Sequence, residues 1–255
     1  MSNLPSDFDE ELAEEFGFRR DMDLSNLTIH DCLQGSDEWL ALRCGLMTAS
    51  EVKLIMTPTC KPANNDKSRS HLYELAAQRI TGHVEPHFIS DDMLRGHDDE
   101  ERARQLYAKT WPQFGPVTTP GFLTRRFASG LVLGYSPDFF VTDHGQGECK
   151  SRRAKYQIET GVRGVPEEYV LQVQTGLLVS GRVWCDFVSY SGGLPMIRIR
   201  VYPDLEMHAK IIEAAEAAEA RICAVVSEFK QLAAINAWPE TERTSREIEV
   251  DDDEF

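Results

Sequence analysis

Near the middle of the chain lies a hairpin-like run, Gly134-Tyr-Ser-Pro-Asp-Phe-Phe-Val-Thr-Asp-His-Gly-Gln-Gly-Glu-Cys-Lys150. The Ser-Pro pair before Asp138 favours an extended bend, and the aromatic and β-branched residues 139–142 predict a strand. Residues 143–147 have the composition of a turn, so the chain should reverse there. Residues 148–150 then form the returning strand, and the sequence predicts a β-hairpin.

The hairpin brings acidic and basic side chains together. Alternate residues of a strand share a face, so Glu148 and Lys150 point the same way and Cys149 points to the other side. A hairpin of this length can return the chain beside Asp138. Two carboxylates can hold a divalent cation, and a lysine can orient or help to deprotonate a water molecule. This is the pattern of the PD-(D/E)XK nucleases, although a surface hairpin with an exposed salt bridge explains the same residues.

Length and cysteine usage limit the class of protein. A chain of 255 residues fits one large domain or two small ones. No segment approaches the roughly 18 consecutive apolar residues of a membrane span, and the first residues lack the pattern of a signal peptide. The six cysteines contain no Cys-x-x-Cys pair, which indicates reduced thiols in a cytoplasmic protein and argues against an iron–sulfur cluster.

The negative charge is concentrated at the two ends of the chain. The net charge is −15, and residues 1–23 and 239–255 each hold eight acidic residues and two arginines. We therefore expect a flexible acidic arm over 1–23, a folded domain over 24–238 and a disordered acidic tail over 239–255. The folded domain then carries little net charge, which permits a DNA enzyme whose basic residues line one groove.

A second motif, Trp39-x-x-Leu-Arg-x-Gly-x-x-Thr-Ala-Ser-Glu-Val52, lies near the start of the predicted domain. Ser36 is a candidate N-cap of a short helix, and residues 48–51 match a capping box that should begin another helix running to residue 56. Capping and a surface ion pair could be all that these residues do. Alternatively, Arg43, the Ser50 hydroxyl and the free N–H groups of the second helix form an anion site.

This motif resembles the N-terminal motif of the lambda exonuclease and YqaJ-type viral recombinase family. The resemblance implies that Arg43 and Ser50 bind the 5′-phosphate of a DNA end. Three further segments, one of them the hairpin already described, extend it in the same order. Gly-x-x-x-Glu-x-x-Ala-Arg over residues 96–104 implies that Glu100 contributes to the metal site, and Tyr-x-x-Gln implies that Gln172 lines the active site. The apolar residue before the glycine, Met93 or Leu94, stands where the family inserts a wedge into the duplex.

Other contacts with DNA and metal follow from the positions of neighbouring residues. The Cys149 carbonyl is a plausible additional metal ligand. Arg152 and Arg153 directly follow the predicted metal site, which suits contacts with backbone phosphates, although a solvated basic loop is the competing interpretation. Arg125 and Arg126 are further candidates for a DNA-facing surface. One departure from the family is Ala128, which stands where an additional aspartate is expected.

The order of predicted elements indicates one α/β domain with a central mixed sheet flanked by helices. The predicted helices cover residues 70–81, 92–107, 168–180 and 203–230, and predicted strands follow at 183–190 and 196–202. The resemblance implies a PD-(D/E)XK nuclease-like domain in which Asp138, Glu148 and Glu100 hold the metal and Lys150 positions the attacking water.

The activity that the resemblance implies is Mg²⁺-dependent 5′-to-3′ digestion of one strand of linear double-stranded DNA in phage-type recombination. Mn²⁺ could replace Mg²⁺ because carboxylate sites accept both ions. The family further implies a ring-shaped homotrimer and a single-strand annealing protein as partner. The alternatives are an endonuclease or a nuclease subunit of a larger complex, and a catalytically inactive DNA-binding module on the same fold.

Overall fold

Two β-sheets form the centre of the fold in the computed structural model, which describes residues 25–57, 59–85 and 91–243. The strands are β1 (Leu27–His30), β2 (Val117–Thr118), β3 (Phe122–Arg126), β4 (Val132–Tyr135), β5 (Phe139–Val141), β6 (Gly145–Ser151), β7 (Trp184–Tyr190) and β8 (Ile197–Val201). The larger sheet has the order β2-β5-β6-β7-β8, and the smaller has the order β1-β3-β4. Only β6 and β7 pair in parallel among these strands, so the larger sheet is mixed, as predicted.

Helices pack against both faces of the larger sheet. They are α1 (Asp37–Arg43), α2 (Val52–Ile55), α3 (Asp66–Thr81), α4 (Asp91–Thr110), α5 (Ala154–Arg163), α6 (Glu167–Ser180) and α7 (Leu205–Ile235), with a 3-10 turn at Pro112–Phe114. Tyr107 of α4 packs with Cys149 and Val188, whereas Leu177 of α6 packs with Phe187. Because neighbouring strand residues face opposite ways, α4 and α6 cover opposite faces. The predicted α/β architecture is confirmed.

The predicted hairpin forms between β5 and β6, but its turn is shorter than expected. Phe139 pairs with Gly147 and Val141 pairs with Gly145, so the reversal occupies residues 142–144. The two glycines lie in the strand because they permit close packing: an added Cβ would stand 2.0 Å from the Trp184 ring at Gly145 and 1.9 Å from the Phe139 ring at Gly147. The assignment of these glycines to the turn was therefore wrong.

The parallel pairing of β6 and β7 requires a long crossover, which α5 and α6 supply. Helix α6 was predicted from the sequence, whereas α5 was not. Helix α6 is buried on nearly all sides from residue 171 to residue 180. Its outer side contacts α7, so the crossover helix forms a layer between the sheet and the last helix.

Several helix boundaries differ from the prediction because capping side chains set them. Helix α3 begins four residues earlier than expected, where Asn65 accepts a hydrogen bond from the Ser68 N–H, and it ends at Gly82 with φ of 65°. Asp204 caps α7 in the same way. In the described part of the chain, no helix combines the length and the apolar character needed to cross a membrane. The predicted acidic arm and most of the predicted acidic tail lie outside the described residues.

Candidate active site

A cavity of about 170 Å³ joins the two predicted motifs. Among its lining residues are those that the sequence analysis named: Arg43, Ser50, Glu100, Asp138, Glu148, Lys150 and Gln172. It is also lined by residues to which no functional role was assigned: Gln34, Trp39, Thr48, Ala49, Tyr135 and Ser136. Helix α4 covers the sheet face opposite α6, yet Glu100 of α4 and Gln172 of α6 line the same cavity.

A short backbone contact brings the two motifs together. The Ala49 N–H donates to the Gly134 carbonyl and the Gly134 N–H donates to the Met47 carbonyl, each over 2.9 Å. Gly134 lies three residues before Pro137 of the Pro-Asp pair, so this contact places the N-terminal motif beside the hairpin. A side chain at residue 134 would meet the Phe122 ring, because an added Cβ would stand 2.4 Å from it. An added Cβ would also stand 3.0 Å from a methyl group of Leu46, so the glycine permits the close approach of the N-terminal motif and the hairpin.

Glu148 is the most enclosed carboxylate of the cavity, with 1% of the residue exposed. Its Oε1 accepts hydrogen bonds from Lys150 Nζ and Gln172 Nε2, each at 2.5 Å, and its Oε2 accepts one from the Tyr135 hydroxyl at 3.3 Å. These donors come from β6, α6 and β4. They stabilise a buried negative charge that would otherwise carry a large desolvation cost.

Asp138 lies next to this carboxylate and accepts a hydrogen bond from the Cys149 N–H. Burial raises the pKa of Asp138 well above its usual value, and the negative charges of Glu148 and Glu100 raise it further, while Lys150 opposes them. Burial alone would lower the pKa of Lys150, but the charges of Glu148 and Asp138 outweigh it and raise the pKa above the usual value. Lys150 is therefore an ammonium ion, suited to orienting groups rather than to accepting a proton.

The carboxylates of the cavity fit a divalent cation by their chemistry. Asp138, Glu148 and Glu100 offer hard oxygen ligands, and a cation would offset both the burial and the neighbouring negative charges that raise the pKa of Asp138. Within residues 25–57, 59–85 and 91–243, no three His, Cys, Asp or Glu side chains stand in a ready metal-ligand arrangement. Oε1 of Glu148 accepts hydrogen bonds from Lys150 and Gln172, whereas Oε2 accepts one from Tyr135 at 3.3 Å and keeps a second lone pair that can face a cation.

The other end of the cavity is built around an arginine. The Arg43 guanidinium lies 4.3 Å from the centroid of the Trp39 ring, and its Nη2 donates to Thr48 Oγ1 at 3.2 Å. Thr48 Oγ1 is in turn 3.3 Å from Ser50 Oγ. Burial lowers the pKa of Arg43, and the charge of Glu51 partly offsets this, but a guanidinium keeps its charge at neutral pH. The Arg43 cation and the Ser50 hydroxyl thus form a small site that suits an anion, while the Thr48 hydroxyl donates its proton to Glu51.

Two N–H groups near the start of α2 already donate within the protein, and the expected contribution of the other N–H groups to this anion site stays a prediction. Helix α2 contains only one turn, and the N–H groups of Ala49 and Glu51 donate to Gly134 and Thr48 carbonyls. The Glu51 carboxylate accepts hydrogen bonds from both the N–H and the hydroxyl of Thr48. The predicted capping box is therefore present as a contact between the Glu51 carboxylate and Thr48.

The predicted DNA-contacting arginines have different surroundings. Arg152 donates to Glu168 and stacks on Tyr169, and only 7% of its side chain is exposed. Arg153 and Arg126 are exposed. Arg125 is buried and donates to the Leu178 carbonyl, so its predicted place on a DNA-facing surface was wrong.

Two further assignments concern the metal site and the wedge, and Gln174 lies two residues after Gln172 in α6. The Cys149 side chain packs in an apolar cluster, and its carbonyl as a metal ligand stays a prediction. Met93 and Leu94 lie in α4, but their side chains fall outside the described part of the structure. Gln174 has a structural role, because its Nε2 donates to the Tyr202 carbonyl and its Oε1 accepts from the Asp204 N–H and lies 2.9 Å from His208 Nε2.

The fold and the cavity define a class of protein. A mixed sheet that presents a Pro-Asp bend and a Glu-x-Lys strand on one cavity is the core of a PD-(D/E)XK nuclease fold. The chain belongs to the family described as the YqaJ-like viral recombinase domain, whose model matches residues 38–183. Membership of this exonuclease family implies dependence on a metal ion.

Solved structures support the assignment to this family. The crystal structure of an alkaline exonuclease, LHK-Exo, from Laribacter hongkongensis is 33% identical, with a TM-score of 0.69, and the match covers 79% of this chain and 100% of that chain. The same exonuclease in complex with dAMP matches with a TM-score of 0.70. A phage-related exonuclease from Haemophilus somnus 129PT, 14% identical with a TM-score of 0.53 over 72% of this chain and 96% of that chain, shares the fold. No curated protein sequence matched the chain.

Proposed function

We propose that the protein is a Mg²⁺-dependent exonuclease that degrades one strand of linear double-stranded DNA from its 5′ end. The observation that carries this proposal is the shared cavity, which has Arg43 and Ser50 at one end and Asp138, Glu148 and Lys150 at the other. A cationic site next to a carboxylate site can hold a terminal phosphate while the neighbouring phosphodiester lies over the carboxylates.

The three carboxylates, the lysine and Gln172 each have a role in this reaction. Asp138, Glu148 and Glu100 would hold the metal, which when bound supplies Lewis-acid stabilisation of the charge on the attacked phosphate. Lys150 is charged and points into the cavity, so it can donate a hydrogen bond to the attacking water or to a phosphate oxygen. Gln172 holds Oε1 of Glu148 and thereby limits the orientations of that carboxylate. Mn²⁺ suits the same oxygen ligands.

The relatives support a DNA substrate. One of them is an alkaline exonuclease that was crystallised with dAMP, a product-sized fragment of a DNA strand. We extend to this chain the features implied by the family: a role in phage-type recombination, a ring-shaped homotrimer, and a single-strand annealing protein as partner. The six free cysteines fit the proposed cytoplasmic location. Acidic segments over 1–23 and 239–255, flanking a nuclease domain over 24–238, complete the proposed organisation.

The decisive experiment compares linear duplexes that carry a 5′-phosphate or a 5′-hydroxyl group. The proposal predicts faster digestion of the phosphorylated duplex, by about tenfold or more, because Arg43 and Ser50 would gain a charge-assisted contact. Arg43→Lys keeps the charge but loses the planar fork, so it should reduce the preference. Arg221→Lys, an exposed position on α7, is the matched control. Equal rates for the two duplexes with the unchanged protein would contradict the assigned anion site.

A further inference from the structure

One side of α4 packs against the sheet through three residues, each of which makes a different contact. Asp99, Ala103 and Tyr107 are spaced four residues apart and therefore form a stripe on one side of the helix. All three are buried, with exposed fractions of 7%, 0% and 0%. Glu100 follows Asp99 by one residue, which places it roughly 100° around the helix and away from this stripe. The rotation of α4 about its axis therefore determines where the Glu100 carboxylate lies.

A hydrogen bond ties the beginning of this stripe to the catalytic strand. The Ser151 hydroxyl donates to Asp99 Oδ2 at 2.7 Å. Ser151 immediately follows Lys150 in β6, and Asp99 immediately precedes Glu100 in α4. The hydrogen bond thus connects the residue next to Lys150 with the residue next to Glu100, and both Lys150 and Glu100 are assigned to the active site. Arg102 approaches the other oxygen of Asp99 at 3.5 Å, but its side chain is 64% exposed and belongs to the same helix, so it does not connect α4 to the sheet.

A second hydrogen bond holds the other end of the stripe. The Tyr107 hydroxyl donates to Asp186 Oδ2 at 2.5 Å, and the Asp186 carboxylate also accepts hydrogen bonds from Arg198 and Arg200. Between these two contacts Ala103 packs against the sheet without a polar group. The hydrogen bond at Tyr107 anchors the helix two turns away from Glu100, whereas the hydrogen bond at Asp99 acts beside it.

We propose that the hydrogen bond between Ser151 and Asp99 positions Glu100 for metal binding. The inference rests on the proposed function in one respect, namely that Glu100 is a metal ligand. A carboxylate on a helix lies roughly 6 Å from the axis, so a rotation of about 20° moves it by roughly 2 Å. Metal–ligand distances tolerate only about 0.2 Å. Control of helix rotation at residue 99 is therefore required for Glu100 to share an ion with Asp138 and Glu148.

The test measures metal affinity directly, without DNA and without turnover. Binding of Mn²⁺ is followed from the electron paramagnetic resonance signal of the free ion, for the full chain and for three variants. Ser151→Ala removes the donor and should weaken Mn²⁺ binding about tenfold, the effect typical of losing a group that orients a ligand. Ser151→Thr keeps a hydroxyl and should restore the affinity. Glu101→Gln changes an exposed neighbour that bonds only within α4 among its described contacts, and should bind Mn²⁺ normally.

Two outcomes overturn the proposal. If the Ser151→Ala variant binds Mn²⁺ as tightly as the unchanged protein, the hydrogen bond does not position a metal ligand. If the Ser151→Thr variant binds Mn²⁺ as weakly as the Ser151→Ala variant, the loss of the hydroxyl is not the cause of the weaker binding. Thermal unfolding in the absence of metal identifies a variant that has simply lost its fold. Failure of the proposed function is distinct, since the unchanged protein would then leave linear duplex intact at every Mg²⁺ concentration.

Discussion

Lys150 shows how one residue combines local and distant influences. Its placement on the same face as Glu148 follows from strand alternation and was predicted from the sequence. Its protonation follows from the fold, because the negative charges of Glu148 and Asp138 outweigh the effect of burial and raise its pKa. In the proposed reaction the lysine would therefore act by donating hydrogen bonds and by its charge.

Removal of this charge should abolish most of the activity. Lys150→Ala is expected to lower the rate of linear duplex hydrolysis by about 100-fold or more, since a positioned donor near the developing charge is lost. The rate is measured by release of acid-soluble nucleotide at saturating Mg²⁺. Lys210→Ala removes a lysine of α7 that pairs with Glu206 on the surface, and should leave the rate unchanged. Undiminished hydrolysis by Lys150→Ala would eliminate the proposed mechanism.

The surroundings of Glu148 were only partly predictable at this scale. Glu148 itself was identified from the Glu-x-Lys spacing, and Gln172 from the family motif. Tyr135 was missed, although it directly precedes the Ser-Pro-Asp bend. Its hydroxyl reaches Glu148 because β4 and β6 converge on the cavity, although they belong to different sheets. Trp39 was assigned only to a helix and Thr48 only to a capping box. The hydrogen bonds that Trp39 makes with Ser136 and Thr48 with Arg43 depend on how the motif packs in the folded protein.

At the scale of elements, the β5–β6 hairpin depends on two glycines that face aromatic rings. Gly147→Ala should destabilise the protein by about 1–3 kcal/mol, because the added methyl group would overlap the Phe139 ring and the strand must move. Gly192→Ala is the matched control, since no heavy atom lies within 4 Å of its added Cβ. Urea unfolding monitored by circular dichroism gives both free energies. A Gly147→Ala protein as stable as the Gly192→Ala protein would show that the strand accommodates the methyl group.

The contact between α6 and α7 predicts a dependence of stability on pH. Burial lowers the pKa of His208 to about 4, although Asp204 opposes this effect. The unfolded chain, with a usual histidine pKa near 6.5, binds a proton that the folded protein excludes. The contribution of the neutral His208 side chain to the free energy of unfolding is therefore complete above about pH 6.5. It is lost as the pH falls toward 4. Protonation of His208 on unfolding should lower the free energy of unfolding by about 2 kcal/mol between pH 8 and pH 5.

A variant isolates this contribution from that of the other histidines. His208→Gln retains a hydrogen-bonding group beside Gln174 but cannot become protonated. Its free energy of unfolding should fall less between pH 8 and pH 5 than that of the unchanged protein, by about the same 2 kcal/mol. Identical losses in the two proteins would mean that His208 is not protonated on unfolding in this range.

At the scale of the whole molecule, the cavity predicts a requirement for DNA ends. Arg43 and Ser50 can hold a terminal phosphate, and a covalently closed circle has none. The protein should therefore digest linear duplex and leave a closed circular duplex of the same sequence intact in Mg²⁺. Agarose gel electrophoresis of both substrates measures this, and linearisation of the same circle with a restriction enzyme provides the control. Cutting of the intact circle would favour an endonuclease on the same fold.

Local patterns were sufficient to predict the hairpin, the mixed α/β architecture, and the grouping of Asp138, Glu148 and Lys150. Turn composition and strand alternation act over a few residues, so they can be recognised without knowledge of distant contacts. The contact between residues 47–49 and Gly134, the hydrogen bond between Ser151 and Asp99, and the burial of Arg125 became evident only in the folded molecule. These features join segments far apart in the chain, and their spacing in sequence carries no information about their distance in space.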